Sequence, residues 1–171
     1  MTKSVDSTAP VLTSVRQRTG VVELNRPKAL NSLNPEMIDI IAKAVKNWED
    51  DDSIDQIVLY TTNPKAFCAG GDVRFARDKI LSGDAQLVDD FFAAEYTLNG
   101  KLATYKKPLV SIIDGVVMGG GLGISLHGSH RVVTENAFAS MPEMAIGYFT
   151  DVGVAHAADM RVLVDEAHGT H

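Results

Sequence analysis

Cysteine is nearly missing: Cys68 is the single one in 171 residues, so no internal disulfide can form and no Cys/His metal-ligand spacing is present. A chain that needs no disulfide suits a reducing compartment, and the expectation is cytoplasmic. Basic blocks are missing as well. The net charge is −6 with no lysine or arginine stripe, which excludes the electrostatic footprint of a nucleic-acid binder. No stretch approaches the roughly 20 apolar residues needed to span a bilayer, so no membrane partner is expected. The opening Met1 to Pro10 carries one lysine and one aspartate and no apolar run, unlike a signal or transit peptide. What the chain does have is 45% hydrophobic residues, enough for the core of one domain.

The order of elements reads as α/β. Val11–Val15 and Val21–Leu24 are β-prone runs separated by Thr19-Gly20, a hairpin or close strand pair. Asn25-Arg26-Pro27 breaks the second run, and Asn34-Pro35-Glu36 opens a helix with asparagine as N-cap. Met37, Ile40, Ile41, Ala44, Val45 and Trp48 follow at the spacing of one helical face, up to the acidic turn Glu49–Asp52. Ile57–Tyr60 is a continuous apolar run of the kind found in strands covered on both faces. Thr61–Asp72 reads as loop, Ala85–Tyr105 as a long helix, and Leu109–Ile113 as a strand. Leu122–His127 begins another helix, and Arg131–Thr134 is a further strand.

Two segments repeat the sequence of strand, turn of small residues and helix: Phe67-Cys68-Ala69-Gly70-Gly71-Asp72 and Val117-Met118-Gly119-Gly120-Gly121-Leu122-Gly123. Glycine admits positive φ and close approach of the backbone, so such turns can aim bare N–H groups at a ligand. Two of these facing one point form an oxyanion hole, where one lost donor costs about 2.7–4 kcal/mol of transition-state stabilisation. The plainer reading is that the glycines let a helix pack closely on a strand. G-x-G-x-x-G, G-K-[ST] and G-x-S-x-G patterns are all unmatched.

Glu143, after Pro142 in an otherwise apolar stretch, reads either as an acid/base or nucleophilic carboxylate or as a helix cap. Asp151 carries the same choice, with N-cap as its plain reading. His127 and His130 lack a third ligand nearby and read as surface or strand-edge histidines. Cys68 reads as a small buried thiol. Lys28, at a loop tip, is either an ordinary surface charge or a partner for phosphate.

These segments resemble the crotonase superfamily, the enoyl-CoA hydratase/isomerase fold. The carriers are Leu24-Asn25-Arg26-Pro27-Lys28-Ala29-Leu30-Asn31-Ser32-Leu33, the Ala66–Asp72 turn and the Gly115–Gly123 turn. The resemblance implies a spiral of repeated ββα units, incomplete at the C-terminus, with a flexible N-terminus at 1–10, a core at 11–153 and an unmatched tail at 154–171. It also implies an acyl-CoA substrate as partner, with oxyanion donors at the N–H groups of Gly71 and Gly120, Ala69 beside them, and the Lys28 loop against CoA. No metal or redox cofactor is implied, since coenzyme A belongs to the substrate. Assembly into a homo-oligomer is a further expectation.

Within the superfamily, Gly123 stands where hydratases carry a glutamate. Met141-Pro142-Glu143, Ile146-Gly147, Asp151-Val152-Gly153, Phe91-Phe92 and Glu95-Tyr96-Thr97-Leu98-Asn99 are similar to 3-hydroxyisobutyryl-CoA hydrolases. That branch implies thioester hydrolysis in valine degradation, with Glu95, Glu143 and Asp151 at the acyl group. Enoyl-CoA hydration or isomerisation, and acyl-CoA binding without catalysis, are the alternatives.

Overall fold

The computed structural model describes residues 7–142, 151–153 and 163–164. Strands β1 (Val11–Arg16) and β2 (Thr19–Leu24) form an antiparallel hairpin. The turn lies at Gln17-Arg18, where Gln17 takes a positive φ of 55°. Thr19-Gly20, expected between the strands, is therefore inside β2, paired with Arg16 and Val15. Gly20 is required there by packing: a Cβ would come within 2.6 Å of the Trp48 ring and 2.9 Å of Ile57.

Helix α1 (Pro35–Glu49) starts as its sequence dictates, with the Asn34 side chain accepting from the Met37 N–H at 2.9 Å. It buries Met37, Ile38, Ile41, Ala44, Val45 and Trp48. Strand β3 (Gln56–Thr61) then runs parallel to β2. Ile57 and Leu59 are buried while Val58 and Tyr60 are half-buried, so this strand alternates instead of being covered equally on both faces.

From here the chain lays down one strand in each of two sheets per turn of the spiral. Strands β4 (Ala66–Cys68), β6 (Val116–Met118) and β8 (Phe138–Ser140) make a three-stranded parallel sheet. Strands β5 (Leu109–Ile113), β7 (His130–Val133) and β9 (Leu163–Val164) extend the larger one, in the order β1-β2-β3-β5-β7-β9. Helices α2 (Val73–Leu81), α3 (Ala85–Ala103) and α4 (Gly120–Leu126) connect them. This is the expected succession of ββα units. The strand before each glycine turn and the helix after it are those the sequence implies, but without bounds, and β8 is missing from that reading, because segments so short show no periodicity and α2 buries none of its residues.

One apolar core joins both sheets. Leu24, Ile57 and Leu109 from the larger sheet meet Phe67, Cys68 and Val117 from the smaller one, with Met37 and Ile41 of α1 and Phe91 and Leu98 of α3. The glycine turns leave the C-terminal ends of β4 and β6, the edge at which α/β folds place their ligand-binding loops.

Candidate active site

The opening loop is tied to the first glycine turn by backbone and by one buried amide. Asn31 is wholly buried with a φ of 55°, and its amide nitrogen faces Ala66 O at 3.2 Å, Phe67 O at 3.0 Å and Thr61 Oγ1 at 3.0 Å. Ala69 N–H donates to Leu30 O at 3.0 Å, and Leu33 N–H to Gly70 O at 2.8 Å. Asp72 N–H returns a bond to Leu33 O at 2.7 Å. The bridge of Leu33 to Gly71 thus runs through the neighbours of Gly71 and bypasses its own N–H. Asp72 then caps α2 by accepting from Phe75 N–H at 3.1 Å and pairs with Arg26 at 2.8 Å.

The second turn lies directly against the first. Gly70, at φ +97°, approaches Met118 O so closely that a Cβ would stand 3.2 Å from it and 3.7 Å from Gly120 N. Gly119 turns the chain into α4 with φ 43° and ψ −119°, and its carbonyl accepts from Leu122 and Gly123 N–H. Gly120 is the first residue of α4, where an N–H has no acceptor within the helix. A Cβ at Gly121 would strike Cys68 O, so the plain packing reading holds at that glycine.

Helix α3 supplies the side chains over the turns. Glu95 is 2% exposed, and its carboxylate occupies the space a side chain at 120 would need, with Oε2 3.9 Å from the Cβ position of Gly71. One helical turn on, Asn99 does the same at Gly123: its Nδ2 is 2.7 Å and Val152 Cβ 2.9 Å from the Cβ position there. A side chain at position 123 would therefore displace Asn99 and Val152. Burial first, and the nearby negative charge of Asp151 second, push the Glu95 carboxyl up to about 7.

A cavity of about 350 Å³ opens on these groups, lined by Ala69, Gly71, Gly120, Glu95 and Asp151 of the predicted site, with apolar walls from Val88, Phe91 and Phe92. Asp151 accepts from the Tyr96 hydroxyl at 2.5 Å, so its side chain is engaged by α3; the segment it would cap lies outside the described residues. Lys28 stands apart. It lies in a 3₁₀ turn at Pro27–Ala29, exposed and outside the cavity wall, in the loop that Leu30, Asn31 and Leu33 tie to the first glycine turn. Glu143 lies outside the described residues. Cys68 is fully buried, donates to Asn31 O at 3.1 Å, and has its thiol raised to about 12 by burial above all.

His127 departs from its expected surface role. It is half-buried at the end of α4, with Nε2 2.6 Å from Val152 O. Neither this contact nor the Tyr96–Asp151 bond was legible in the sequence, because each joins residues far apart along the chain. Among the described residues no group of His, Cys, Asp and Glu is arranged to hold a metal ion.

The family profile described as "Enoyl-CoA hydratase/isomerase" matches residues 19–163. The chain is 52% identical over 134 residues to the mitochondrial 3-hydroxyisobutyryl-CoA hydrolase of Xenopus tropicalis, covering 78% of this chain and 34% of the relative. It is 43% identical over 153 residues to that of Homo sapiens, covering 90% and 39%. The chain thus spans between a third and two fifths of the length of these curated relatives. Among solved structures, an enoyl-CoA hydratase from Rhodobacter sphaeroides superposes with a TM-score of 0.83 at 40% identity, over 86% of this chain and 44% of that one. A carnitinyl-CoA dehydratase from Mycobacterium thermoresistibile gives 0.81 at 42%, over 84% and 42%. The cytoplasmic expectation is overturned by the hydrolases, which are named mitochondrial; one buried thiol reports only that no disulfide is needed and does not distinguish among reducing compartments. Profile, identity and superposition agree with the ββα spiral, and this chain belongs to the enoyl-CoA hydratase/isomerase family.

Proposed function

We propose that this chain carries the thioester site of an acyl-CoA hydrolase acting on short 3-hydroxyacyl-CoA, with 3-hydroxyisobutyryl-CoA as substrate and valine degradation as its setting. The observation that carries the reading is the Glu95 carboxyl set over Gly71 and Gly120, while Asn99 and Val152 fill the space at Gly123. Addition of water to an enoyl-CoA by a pair of glutamates has no second carboxylate at that place. The names of the relatives at 43% and 52% identity support the same choice.

In the proposed reaction the thioester carbonyl oxygen sits between the N–H groups of Gly71 and Gly120, which hold the negative charge that develops as the carbonyl carbon becomes tetrahedral. Glu143 acts as the nucleophile or as the base that activates water; its assignment rests on the resemblance. Asp151 and Glu95 orient the substrate hydroxyl or the attacking water. A Glu95 carboxyl that titrates near 7 is suited to both donating and accepting a hydrogen bond at neutral pH. Collapse of the tetrahedral species breaks the C–S bond and releases the thiolate. On the base route the proton that Glu143 takes from water passes to the thiolate. On the nucleophilic route water then cleaves the Glu143–acyl anhydride, restoring the carboxylate and supplying the proton with which coenzyme A leaves. Water is the only co-reactant, and the reaction calls for no cofactor.

The test is CoA release from 3-hydroxyisobutyryl-CoA, measured with a thiol reagent, for the chain and for Glu143→Ala. Loss of release in the variant is expected; equal rates would remove Glu143 from the chemistry. Solved hydratase and dehydratase structures at 40% and 42% identity favour a second reading, hydration or isomerisation of an enoyl-CoA. Loss of crotonyl-CoA absorbance without free thiol would identify it. Calorimetric binding of CoA with turnover of neither substrate would leave acyl-CoA binding alone.

A further inference from the structure

Asp151 belongs to a turn that the backbone disfavours. Val152 has a φ of +47°, in the left-handed region that a β-branched residue seldom enters, and Gly153 follows at +72°. Such strain persists only where the surroundings over-determine it. Here three contacts do so. The Tyr96 hydroxyl donates to Asp151 Oδ2 at 2.5 Å. The Val152 side chain, 7% exposed, packs over Gly123. His127 Nε2 lies 2.6 Å from Val152 O, and since a carbonyl only accepts, that nitrogen carries the hydrogen. The imidazole can approach because position 153 lacks a side chain: a Cβ there would stand 2.9 Å from His127 Cε1.

We propose that Tyr96 and His127 are positioning residues that grip the strained Asp151–Val152 turn from α3 and α4, and thereby hold the Asp151 carboxylate on the wall of the cavity that Glu95 and the two glycine turns share. The inference rests on the proposed hydrolase reading for what Asp151 does there. It adds the parts that aim it. Tyr96 is well placed for this, since its ring stacks on Phe92 at 6.3 Å and 28°, and Phe92 in turn meets Phe91 of the cavity wall at 5.2 Å. Glu95, which lines the cavity, and Tyr96, which aims Asp151, are thus consecutive on one helix.

The variants are Tyr96→Phe, which keeps the stacked ring and removes only the hydroxyl, and His127→Leu with His127→Gln, whose amide N–H can still donate to Val152 O. The decisive activity readout is selectivity: CoA release from 3-hydroxyisobutyryl-CoA compared with isobutyryl-CoA, which lacks the hydroxyl. Tyr96→Phe and His127→Leu are expected to lower that ratio about 10- to 100-fold, the range for losing one charge-assisted hydrogen bond, and His127→Gln to restore most of it. A merely structural role would lower both rates together, leave the ratio intact and leave the Glu95 midpoint described next unchanged, and that combination overturns the proposal.

A second readout needs no turnover. The carboxyl of Glu95, followed by ¹³C NMR, titrates near 7 partly because of the charge of Asp151. The other titratable groups near it among the described residues are Asp72 on the cavity wall and the Cys68 thiol behind β4. In Tyr96→Phe the midpoint is expected to fall toward the ordinary 4.5, as in Asp151→Asn. If the unsubstituted chain releases no CoA, the hydrolase reading fails, while this midpoint still decides the grip: a fall supports it, and an unchanged value in Tyr96→Phe beside a fall in Asp151→Asn overturns it.

Discussion

At position 120 a methyl group would meet Glu95 Oε1, the end of a flexible side chain, and Leu33 Cδ1 at 3.2 Å. The carboxyl gives way first, so Gly120→Ala is expected to keep its melting temperature within a few degrees and to lose about 100-fold in CoA release, the scale of a 1 Å misplacement in a reacting site. Gly121→Ala meets the Cys68 backbone carbonyl, which cannot move aside, and should instead cost about 1–3 kcal/mol of folding stability, read by denaturant titration. Two adjacent glycines thus separate function from packing. Glu95 itself has a stability signature. Below about pH 4.5 it is protonated in folded and unfolded chains alike and costs nothing. Between 4.5 and 7 the unfolded chain ionises while the folded one keeps its proton, so stability falls as pH rises, by on the order of 3 kcal/mol once above 7. Denaturation curves at pH 4.5 and 8 should show this difference, and Glu95→Gln should abolish it.

Among the elements, α2 and α3 hold the site and differ in how firmly they are anchored. α2 leaves Val73, Ile80 and Leu81 exposed at 64%, 57% and 69%, and buries no residue. Its hold is one apolar contact, Phe75 edge-to-face on Phe91 at 5.8 Å, and two polar ones, the Asp72 cap on Phe75 and the Arg26–Asp72 pair. Burial works to raise the Asp72 carboxyl, but the Phe75 N–H and the Arg26 guanidinium outweigh it and hold the group below the usual carboxylate range. Asp72→Ala should therefore cost about 1 kcal/mol of global stability, the ordinary value of a cap, but produce a larger local effect: faster hydrogen exchange in α2 than in α1. Equal protection of the two helices in that variant would refute the distinction. α1 was readable end to end because its cap, proline and apolar stripe all lie within one segment. α2 was not, since its first-turn cap is the same aspartate that closes the glycine turn, and no apolar stripe follows.

The whole molecule is one core closed by two sheets, and its two best probes sit on opposite sides of it. Trp48 of α1 packs over Gly20 in the larger sheet, while Cys68 lies in the smaller one with its thiol raised to about 12. Since both belong to one apolar cluster, Trp48 fluorescence and Cys68 labelling should report the same denaturant midpoint. Labelling that runs ahead of the fluorescence change would mean the small sheet opens separately. The same burial keeps Cys68 silent toward thiol reagents in the native chain, so the CoA-release assay counts coenzyme A alone.

Much of this architecture is local in origin. The Asn34 cap, the glycine runs and the alternation of strand and helix are properties of neighbouring residues, and they determined the fold class and the two turns. The tertiary structure decided what depends on residues distant in sequence: that Asn31 staples the opening loop to β4, that Glu95 and Asn99 fill the notches left by Gly120 and Gly123, and that Tyr96 and His127 hold the Asp151 turn. The physical reason is the spiral itself. Each of its turns returns the chain to the same two sheets, so the groups that meet over the cavity come from successive turns, and no spacing along one segment records which of them will touch.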